Sequence, residues 1–346
     1  MIRRPPRSTL DRSSAASDVY KRQVVLVEKG ELTSGSTWHA AGLVPHFIGG
    51  LSMAKLHHVG SELYKNLERE TGQATGWHGC GAIRLALNDD EVDWFHYVKG
   101  MLDYLDIECH LIGQEEIRQL HPLLIVDDVK MGFYTPTDGH TDPASSTHAM
   151  AVGARLGGAE IYRHTQVLDT RLLGSGEWEV VTDKGSIICE HVVNAGGSFA
   201  KQVGEWVGLD LPIVNMEHHY LVTENLPEIE ALDHEPPVVR DPKASCYYRQ
   251  EQQGILIGPY EKQGAQAWGL NGVDWSFDME LLSPALERLE NSLQHAGERM
   301  PCWSDAGSKR VGKGPITHTP DGGFLLGPAA GLRNYWLCCG ASIGIT

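Results

Sequence analysis

The chain has 346 residues, a formal net charge of -16 at pH 7, 41% hydrophobic residues and 21% charged residues. This composition is typical of a globular protein, and the negative charge disfavours nucleic acid or an anionic membrane surface as a partner. No apolar run reaches the roughly 18 residues that a transmembrane helix needs. The seven cysteines lack CxxC spacing, which favours a reducing compartment. We expect the cytoplasm by default, or the mitochondrial matrix if the source is eukaryotic.

The first 23 residues differ from the rest of the chain. They contain six Lys or Arg residues and few apolar ones in an otherwise acidic protein. An Arg- and Ser-rich start is compatible with a mitochondrial transit peptide, but Pro5 and Pro6 would interrupt its amphipathic helix. The segment better resembles the conceptual translation of a sequencing-adaptor oligonucleotide. We therefore interpret 1–23 as extraneous or disordered, and expect 24–346 to be a fragment of a longer protein.

Predicted strands and helices alternate at both ends of the segment 24–346, and strands dominate its middle. The run VVLVEKG at 24–30 predicts a buried parallel strand, and an amphipathic helix from 53 to 71 should end at Gly72. This order favours an α/β (α+β) fold with an antiparallel substrate domain. The remaining predicted elements are strands at 81–88, near Ile161 and at 334–340, a hairpin within 176–197, strands within 211–275, and helices at 90–105, from the turn at 142–143 to Gly157, at 198–207 and at 283–300.

Two segments have the chemistry of a dinucleotide site. Glu28 ends the first strand and suits the acid that binds a ribose hydroxyl in a Rossmann-like domain. The sequence NAGG at 194–197 joins a strand to a helix, and glycine there lets the backbone approach a ligand closely. The first strand and the Gly-rich pyrophosphate turn of such a domain are absent from 24–346. Without further support, a solvent-facing acid is the preferred interpretation of Glu28, and NAGG is equally well a purely structural turn.

Six motifs occur in order along the chain: VVLVEKGELTSGSTWHAAGL at 24–43, DGHTDP at 138–143, VVNAGG at 192–197, HHYLVT at 218–223, CYYRQEQQGILIGPYE at 246–261 and RVGKGPITHTPDGGFLLGP at 310–328. Together they resemble the dimethylglycine dehydrogenase and sarcosine dehydrogenase family, which are FAD-dependent enzymes of the D-amino-acid-oxidase-like fold. The resemblance covers 24–346, and STWHAAG is its most specific motif. It implies FAD-binding parts at about 24–50, 140–210 and 310–346, and substrate-domain parts at about 75–135 and 211–305.

The resemblance also implies how FAD is held. His39, in STWHAAG, would bind it covalently through the methyl carbon at flavin position 8; without the resemblance, His39 is an ordinary hydrogen-bonded loop histidine. The other implied cofactor contacts are Glu28, Lys29, Gly35, Ser36, Thr37, Trp38, Ala40, Gly42, Leu43, Val167, Asn194, Ala195, Gly196, Gly340, Ser342, Ile343 and Gly344.

Three residues are implied or suggested as catalytic. His218 matches a histidine that lies over the flavin, where it can favour the free amine by hydrogen bonding or by taking a proton. Tyr247 matches a tyrosine that orients substrate or water. Arg249 shares a strand face with Tyr247 and is a candidate for the substrate carboxylate. A core-facing histidine and an exposed-edge arginine remain the alternatives at 218 and 249.

The implied reaction is oxidative N-demethylation of a methylated glycine, either dimethylglycine or sarcosine, by hydride transfer to FAD. It would yield formaldehyde or transfer the carbon to tetrahydrofolate in a separate C-terminal domain. The electrons would pass to an electron-transfer flavoprotein or to oxygen. Another FAD amine or amino-acid oxidase of this fold, and a truncated non-catalytic chimera, are the alternatives. The 17 histidines show no HExxH motif, and we predict no metal site.

Overall fold

The computed structural model describes residues 23–261 and 265–341. Nearly all of the segment 1–23 lies outside the described residues, and so do Ser342, Ile343 and Gly344. The described part combines α-helices with mainly antiparallel sheets, which confirms the predicted fold class. None of its helices is both long and apolar enough to cross a membrane.

The described residues form nineteen strands and seven α-helices. The strands are β1 Val25–Val27, β2 Leu43–Val44, β3 Ala82–Ala86, β4 His110–Ile112, β5 Met131–Thr135, β6 Gly139–His140, β7 Glu160–Tyr162, β8 Val167–Leu172, β9 Trp178–Thr182, β10 Gly185–Cys189, β11 Val192–Asn194, β12 Val214–Thr223, β13 Val238–Asp241, β14 Cys246–Glu251, β15 Gly254–Pro259, β16 Ala267–Trp268, β17 Ser308–His318, β18 Leu325–Pro328 and β19 Tyr335–Cys339. The helices are α1 Leu51–Thr71, α2 Asp89–Tyr104, α3 Gln114–Leu120, α4 Pro143–Leu156, α5 Ala200–Glu205, α6 Pro227–Glu230 and α7 Glu290–Arg299.

A nine-stranded sheet is the largest element of the fold. Its order is β16-β12-β15-β14-β13-β3-β5-β4, with β17 also paired to β12, and only β13 and β3 run parallel. Side chains alternate between the two faces of each strand. One face carries Ile83, Val239, Tyr248 and Ile257 into the main hydrophobic core. The residues between these on their strands project to the opposite face, where the candidate active site lies.

Four smaller sheets complete the fold. β1 pairs with β7 in parallel, and β11 pairs with β19 in parallel, with β18 antiparallel on the far side of β19. Strands β8 to β10 form an antiparallel meander, and β2 pairs with β6. The parallel pairs matter for function because their carboxyl ends open onto one cleft.

Two helices differ from prediction. The start of α1 at Leu51 and its end before Gly72, which has φ 73°, agree with expectation, but its Leu56 and Leu63 are exposed. The buried face carries the small Ala54 and Ser61, the polar His57 and the large Tyr64 and Leu67. Helix α7 begins at Glu290 rather than near residue 283, because a 3-10 turn at Leu286–Arg288 precedes it.

Strand β1 is present and parallel, but the prediction that it is buried was wrong. Leu26 at its centre is 37% exposed. Among the described residues β1 pairs only with β7, and its residues line the cleft on the other side.

Candidate active site

A cleft of about 2090 Å³ opens where the parallel-paired strands end. Glu28 and Lys29 follow β1, Ala195 and Gly196 follow β11, and Gly340 follows β19; all five line the cleft. Ligands of open α/β sheets bind outside the carboxyl ends of the strands. The cleft is larger than the roughly 300–1,000 Å³ typical of small-molecule sites, which suits a molecule of dinucleotide size.

Most of the predicted cofactor contacts meet at this cleft. At Gly35 and Gly197 an added Cβ would meet no atom within 4 Å, so the wall is open there to a bound molecule. Burial raises the pKa of Glu28, whose Oε1 accepts a hydrogen bond from the Gly30 N–H at 2.9 Å. The lining and the open glycine positions fit the FAD that the sequence predicts. The predicted residues that line the cleft are Glu28, Lys29, Gly35, Ser36, Thr37, Val167, Asn194, Ala195, Gly196 and Gly340.

Ser36 and Asn194 also form hydrogen bonds that hold the backbone of the cleft wall in place. The Ser36 hydroxyl donates to the Pro315 carbonyl at 2.6 Å and ties the loop after β1 to β17. The Asn194 amide accepts from the Gly196 N–H at 3.1 Å and donates to the Ala200 carbonyl at 2.9 Å, which closes the turn after β11. Their side chains therefore position backbone around the cleft.

His39 ends a 3-10 turn, Thr37–His39, and is buried against β17. A Cβ built on Gly314 would lie 2.3 Å from His39 Cε1, so only glycine at 314 leaves room for this ring. Burial lowers the pKa of His39 to about 4, and the imidazole is therefore neutral at neutral pH. The Trp38 ring contacts His39 edge to face at 5.6 Å.

Several predicted cofactor contacts do not line the cleft: Trp38, His39, Ala40, Gly42 and Leu43. Gly42 has φ 75°, and a Cβ there would lie 2.0 Å from the Thr141 carbonyl oxygen, so close backbone packing explains this glycine. Leu43 packs in a hydrophobic cluster with Tyr220 and Tyr247. The cofactor contacts predicted for Gly42 and Leu43 stay predictions.

His218 and Tyr247 lie together on the sheet face that carries His39. His218 is directly opposite Gly314 in the β12–β17 pair, so both positions project to this face. The His218 Nε2 lies 3.3 Å from the Tyr247 Oη. The Tyr260 ring packs 4.8 Å from His218 and 5.6 Å from Tyr247, forming a cluster that we call the aromatic pocket.

The surroundings of His218 decide what it can do. Burial, followed by the neighbouring His219, Arg240 and His318, lowers the pKa of His218 to about 3. Burial also raises the pKa of Tyr247 well above its usual value. Near neutral pH a histidine of such low pKa is neutral. It can form hydrogen bonds, but it rarely takes up a second proton. Of the two predicted roles of His218, hydrogen bonding to a free amine is the one that the structure favours.

Arg249 is already committed to other partners. Its Nε donates to the Ala41 carbonyl at 2.9 Å, its Nη1 donates to the Gln250 carbonyl, and it pairs with Glu251 at 2.6 Å. These contacts hold the loop next to His39 against β14. They weigh against the predicted role of Arg249 in binding the substrate carboxylate, because its Nε and Nη1 donors already have partners and its charge is paired with Glu251.

The opposite face of β12 carries a cluster of charges rather than a site for substrate. Glu217 pairs with Arg288 and Lys313, and the fully buried His219 contacts Glu261 at 3.1 Å. His218 and its sequence neighbour His219 therefore serve different faces of the sheet, as the two-residue period predicts.

Sequence reasoning missed the glycines and arginines of the aromatic pocket. A Cβ on Gly258 would lie 1.8 Å from the Tyr247 Cζ, so Gly258 makes the space for the tyrosine ring. Arg240 on β13 lies next to this ring, and Arg84 on β3 lies opposite Arg240. A charged residue inside the apolar strand sequences AIRLA and VVRD was the available signal, because such a charge is costly unless it has a partner.

We expect Gly258→Ala to displace Tyr247 and to lower the free energy of unfolding by about 1–3 kcal/mol, the usual cost of overpacking. Gly174→Ala is the matched control, because a Cβ at 174 meets nothing within 4 Å. Urea denaturation of both variants measures the difference. Equal midpoints for the two variants would contradict the packing seen here.

One cluster among the described residues has metal-ligating groups: His78, His140 and Glu235. The Glu235 carboxylate contacts His78 Nδ1 and His140 Nε2 at 2.6 Å each, and the two rings stack at 4.8 Å. These hydrogen bonds account for the cluster by themselves. The prediction that the protein has no metal site stays a prediction.

Residues 13–346 match the family of FAD dependent oxidoreductases known as DAO. This chain belongs to that family. A solved structure of similar fold is that of L-proline dehydrogenase from P. horikoshii, with a TM-score of 0.80 and 25% identity over 93% of this chain and 82% of that one. The DAO assignment confirms the predicted fold and the predicted membership of a family of FAD dependent oxidoreductases.

Two relatives of this DAO chain have names that state a substrate. Dimethylglycine dehydrogenase, mitochondrial, of Rattus norvegicus is 42% identical over 94% of this chain and 38% of its own length. Sarcosine dehydrogenase, mitochondrial, of Homo sapiens is 32% identical over 91% of this chain and 34% of its own length. The chain therefore spans less than two fifths of either relative.

Proposed function

We propose that this chain is the flavin-binding part of an enzyme that oxidatively removes a methyl group from an N-methylated glycine. The observation that carries the proposal is the neutral His218, hydrogen-bonded to Tyr247 on the sheet face that carries His39. The identities to dimethylglycine and sarcosine dehydrogenases support the same substrate class.

FAD would occupy the cleft, with Glu28 near its ribose and with backbone around 194–197 and 340 near its other polar groups. When bound, FAD supplies the acceptor for a hydride from the substrate methyl group. The division into FAD-binding parts (24–50, 140–210, 310–346) and substrate-domain parts (75–135, 211–305) belongs to this proposal. The cleft-lining residues and the nine-stranded sheet support it.

His39 would hold the cofactor covalently. A ring nitrogen of His39 would form a C–N bond to the methyl carbon at flavin position 8 in place of its N–H and one methyl C–H, and the flavin would itself accept the two hydrogens and their electrons. The unprotonated nitrogen that this bond needs is available, because burial keeps His39 neutral at neutral pH. The glycine at 314 supplies the space for the ring.

The aromatic pocket would bind the amine. Only an amine with a free lone pair can give up a hydride from its methyl carbon. The neutral His218 has one ring N–H that would donate to the unprotonated amine and help to position it before the reaction. Tyr247, with a raised pKa, stays a hydrogen-bond donor. Hydrolysis of the oxidised product releases formaldehyde; transfer of its carbon to tetrahydrofolate would need a further domain.

Flavin reduction tests the proposal. FAD-loaded protein is mixed anaerobically with dimethylglycine, sarcosine or glycine, and the visible absorbance of oxidised flavin is followed. We expect one or both N-methylated acids to bleach the flavin and release formaldehyde, while glycine leaves it oxidised because it has no N-methyl group. Subsequent addition of oxygen or of an electron-transfer flavoprotein shows which acceptor restores the colour.

Two results would overturn the proposal in different ways. Bound flavin that no N-methylated acid reduces, but that glycine or another amino acid does, would favour a different oxidase of the same fold. Failure to bind FAD would favour the non-catalytic alternative. For cellular location, the names of both relatives favour the mitochondrial alternative over the cytoplasm.

A further inference from the structure

Two arginines lie side by side in one row across the nine-stranded sheet. Arg240 on β13 is opposite Tyr247 on β14 and also opposite Arg84 on β3. Residues opposite one another on neighbouring strands project to the same face. The two guanidinium groups therefore extend the aromatic pocket away from His218, toward Phe133 on β5, which is opposite Arg84.

Aromatic rings hold both guanidinium groups by their flat faces. The Arg240 Cζ lies 5.1 Å from the Tyr247 ring centroid and 5.4 Å from that of Tyr260. The Arg84 Cζ lies 4.2 Å from the Phe47 ring centroid. A contact with a ring face is not an ion pair, so these guanidinium groups can still bind a planar anion with two parallel hydrogen bonds.

These two arginines differ from the other arginines that are buried or half-buried in the described part of the chain. Each of three such arginines pairs with a carboxylate, with a shortest N–O distance of 2.6 Å: Arg249, Arg288 and Arg299. Arg84 and Arg240 are both half-buried and form no ion pair with any described carboxylate.

Two neighbouring half-buried cations repel each other, and each loses hydration. The Asp138 carboxylate offsets part of this cost at Arg84 but forms no ion pair with it. Burial and the charge of Arg240 lower the pKa of Arg84 to about 9, so Arg84 remains protonated at neutral pH. A bound anion would relieve both costs. The anion must also fit beside the aromatic pocket, because Tyr247 and Tyr260 contact Arg240 and His218 alike.

We infer that Arg240 and Arg84 form the site for the substrate carboxylate, with Arg240 nearer the amine and Arg84 on its outer side. This inference rests on the proposed function for its ligand, an N-methylated amino acid. A carboxylate on Arg240 leaves the substrate nitrogen one Cα away, on the side of Tyr260 and His218. The pair therefore selects amino acids over simple methylamines, and it takes the role that sequence reasoning gave to Arg249.

The test compares dimethylglycine with its amide, dimethylglycinamide, which has the same amine but no negative charge. FAD-loaded wild-type protein, Arg240→Gln and Arg84→Gln are assayed for the kcat/KM of flavin reduction, and the Tm of each is measured with and without either compound. Arg118→Gln is the control, because Arg118 is an exposed arginine on α3 that pairs with Asp127.

We expect Arg240→Gln to lower kcat/KM for dimethylglycine about 10- to 100-fold, the usual worth of a hydrogen bond to a charged group, mainly through KM. The value for the amide should stay within about threefold of wild type. Arg84→Gln should show the same selectivity with a smaller loss. Arg240→Lys, which keeps the charge but not the two parallel donors, should restore part of the binding.

Dimethylglycine should raise the Tm of wild type and Arg118→Gln but not that of Arg240→Gln. Without ligand, the Tm of Arg240→Gln should equal or exceed the wild-type value. Equal losses for acid and amide, or no loss for either, would overturn the carboxylate site. If dimethylglycine fails to reduce wild-type flavin, the proposed reaction is wrong. A carboxylate-dependent rise in Tm that requires Arg240 would still support the anion site in that case.

Discussion

Replacing His39 by alanine should leave the protein unable to retain flavin after denaturation. The wild-type polypeptide, precipitated with acid and washed, should keep its flavin fluorescence, whereas the His39→Ala pellet should lose it. We expect this because the His39 imidazole is neutral, so a ring nitrogen is available for the bond, and because the missing side chain of Gly314 leaves space for the ring. The measurement reads the covalent bond directly and does not depend on catalytic activity.

The control is His121→Ala, since His121 is also buried and burial lowers its pKa to about 4 as well. Its pellet should retain flavin like the wild type. The rate of covalent flavin attachment to the wild-type protein should stay constant as the pH falls from 7 to about 5. It should decline only near pH 4, where His39 becomes protonated. A colourless wild-type pellet from a yellow native protein would show that the flavin is held without a bond.

Replacing His218 by alanine should lower the kcat/KM for flavin reduction by dimethylglycine about 100-fold, at the lower end of the usual contribution of a positioned acid–base group. His218 is the polar group that the pocket offers to a neutral amine, with Tyr247 bonded to its Nε2 at 3.3 Å. Tyr247→Phe should cost less, about tenfold, because it removes one neutral hydrogen bond. Anaerobic rapid mixing measures both variants.

The pH profile separates hydrogen bonding from proton transfer at His218. With a pKa of about 3, His218 is neutral throughout the working range, so kcat/KM should rise with pH as the substrate ammonium loses its proton. No step should occur near 6.5, the ordinary histidine value. A step near pH 6.5 that His218→Ala abolishes would disprove this role. The role would also be disproved if the kcat/KM of His218→Ala stayed within threefold of both wild type and His110→Ala, the control in which an exposed histidine is replaced.

Local patterns in the sequence determined much of this protein. The strand at β1, the helix end at Gly72, the turn after Asp142 and the strand period of two that separates His218 from His219 all follow from interactions within a few residues. The Asp142 side chain, for example, accepts from the Ser145 N–H at 2.7 Å and starts α4. The order of motifs along the chain was enough to predict the family.

Tertiary structure alone decided which residues have partners. Arg249 and Arg240 are indistinguishable as strand arginines. The Ala41 carbonyl and the Glu251 carboxylate bind donors of Arg249, whereas the Arg240 guanidinium lies over the Tyr247 and Tyr260 rings. The face of α1 that is buried depends likewise on its packing partner. Burial, charge neighbours and free space at glycines 258 and 314 arise where distant segments meet, so no local pattern encodes them.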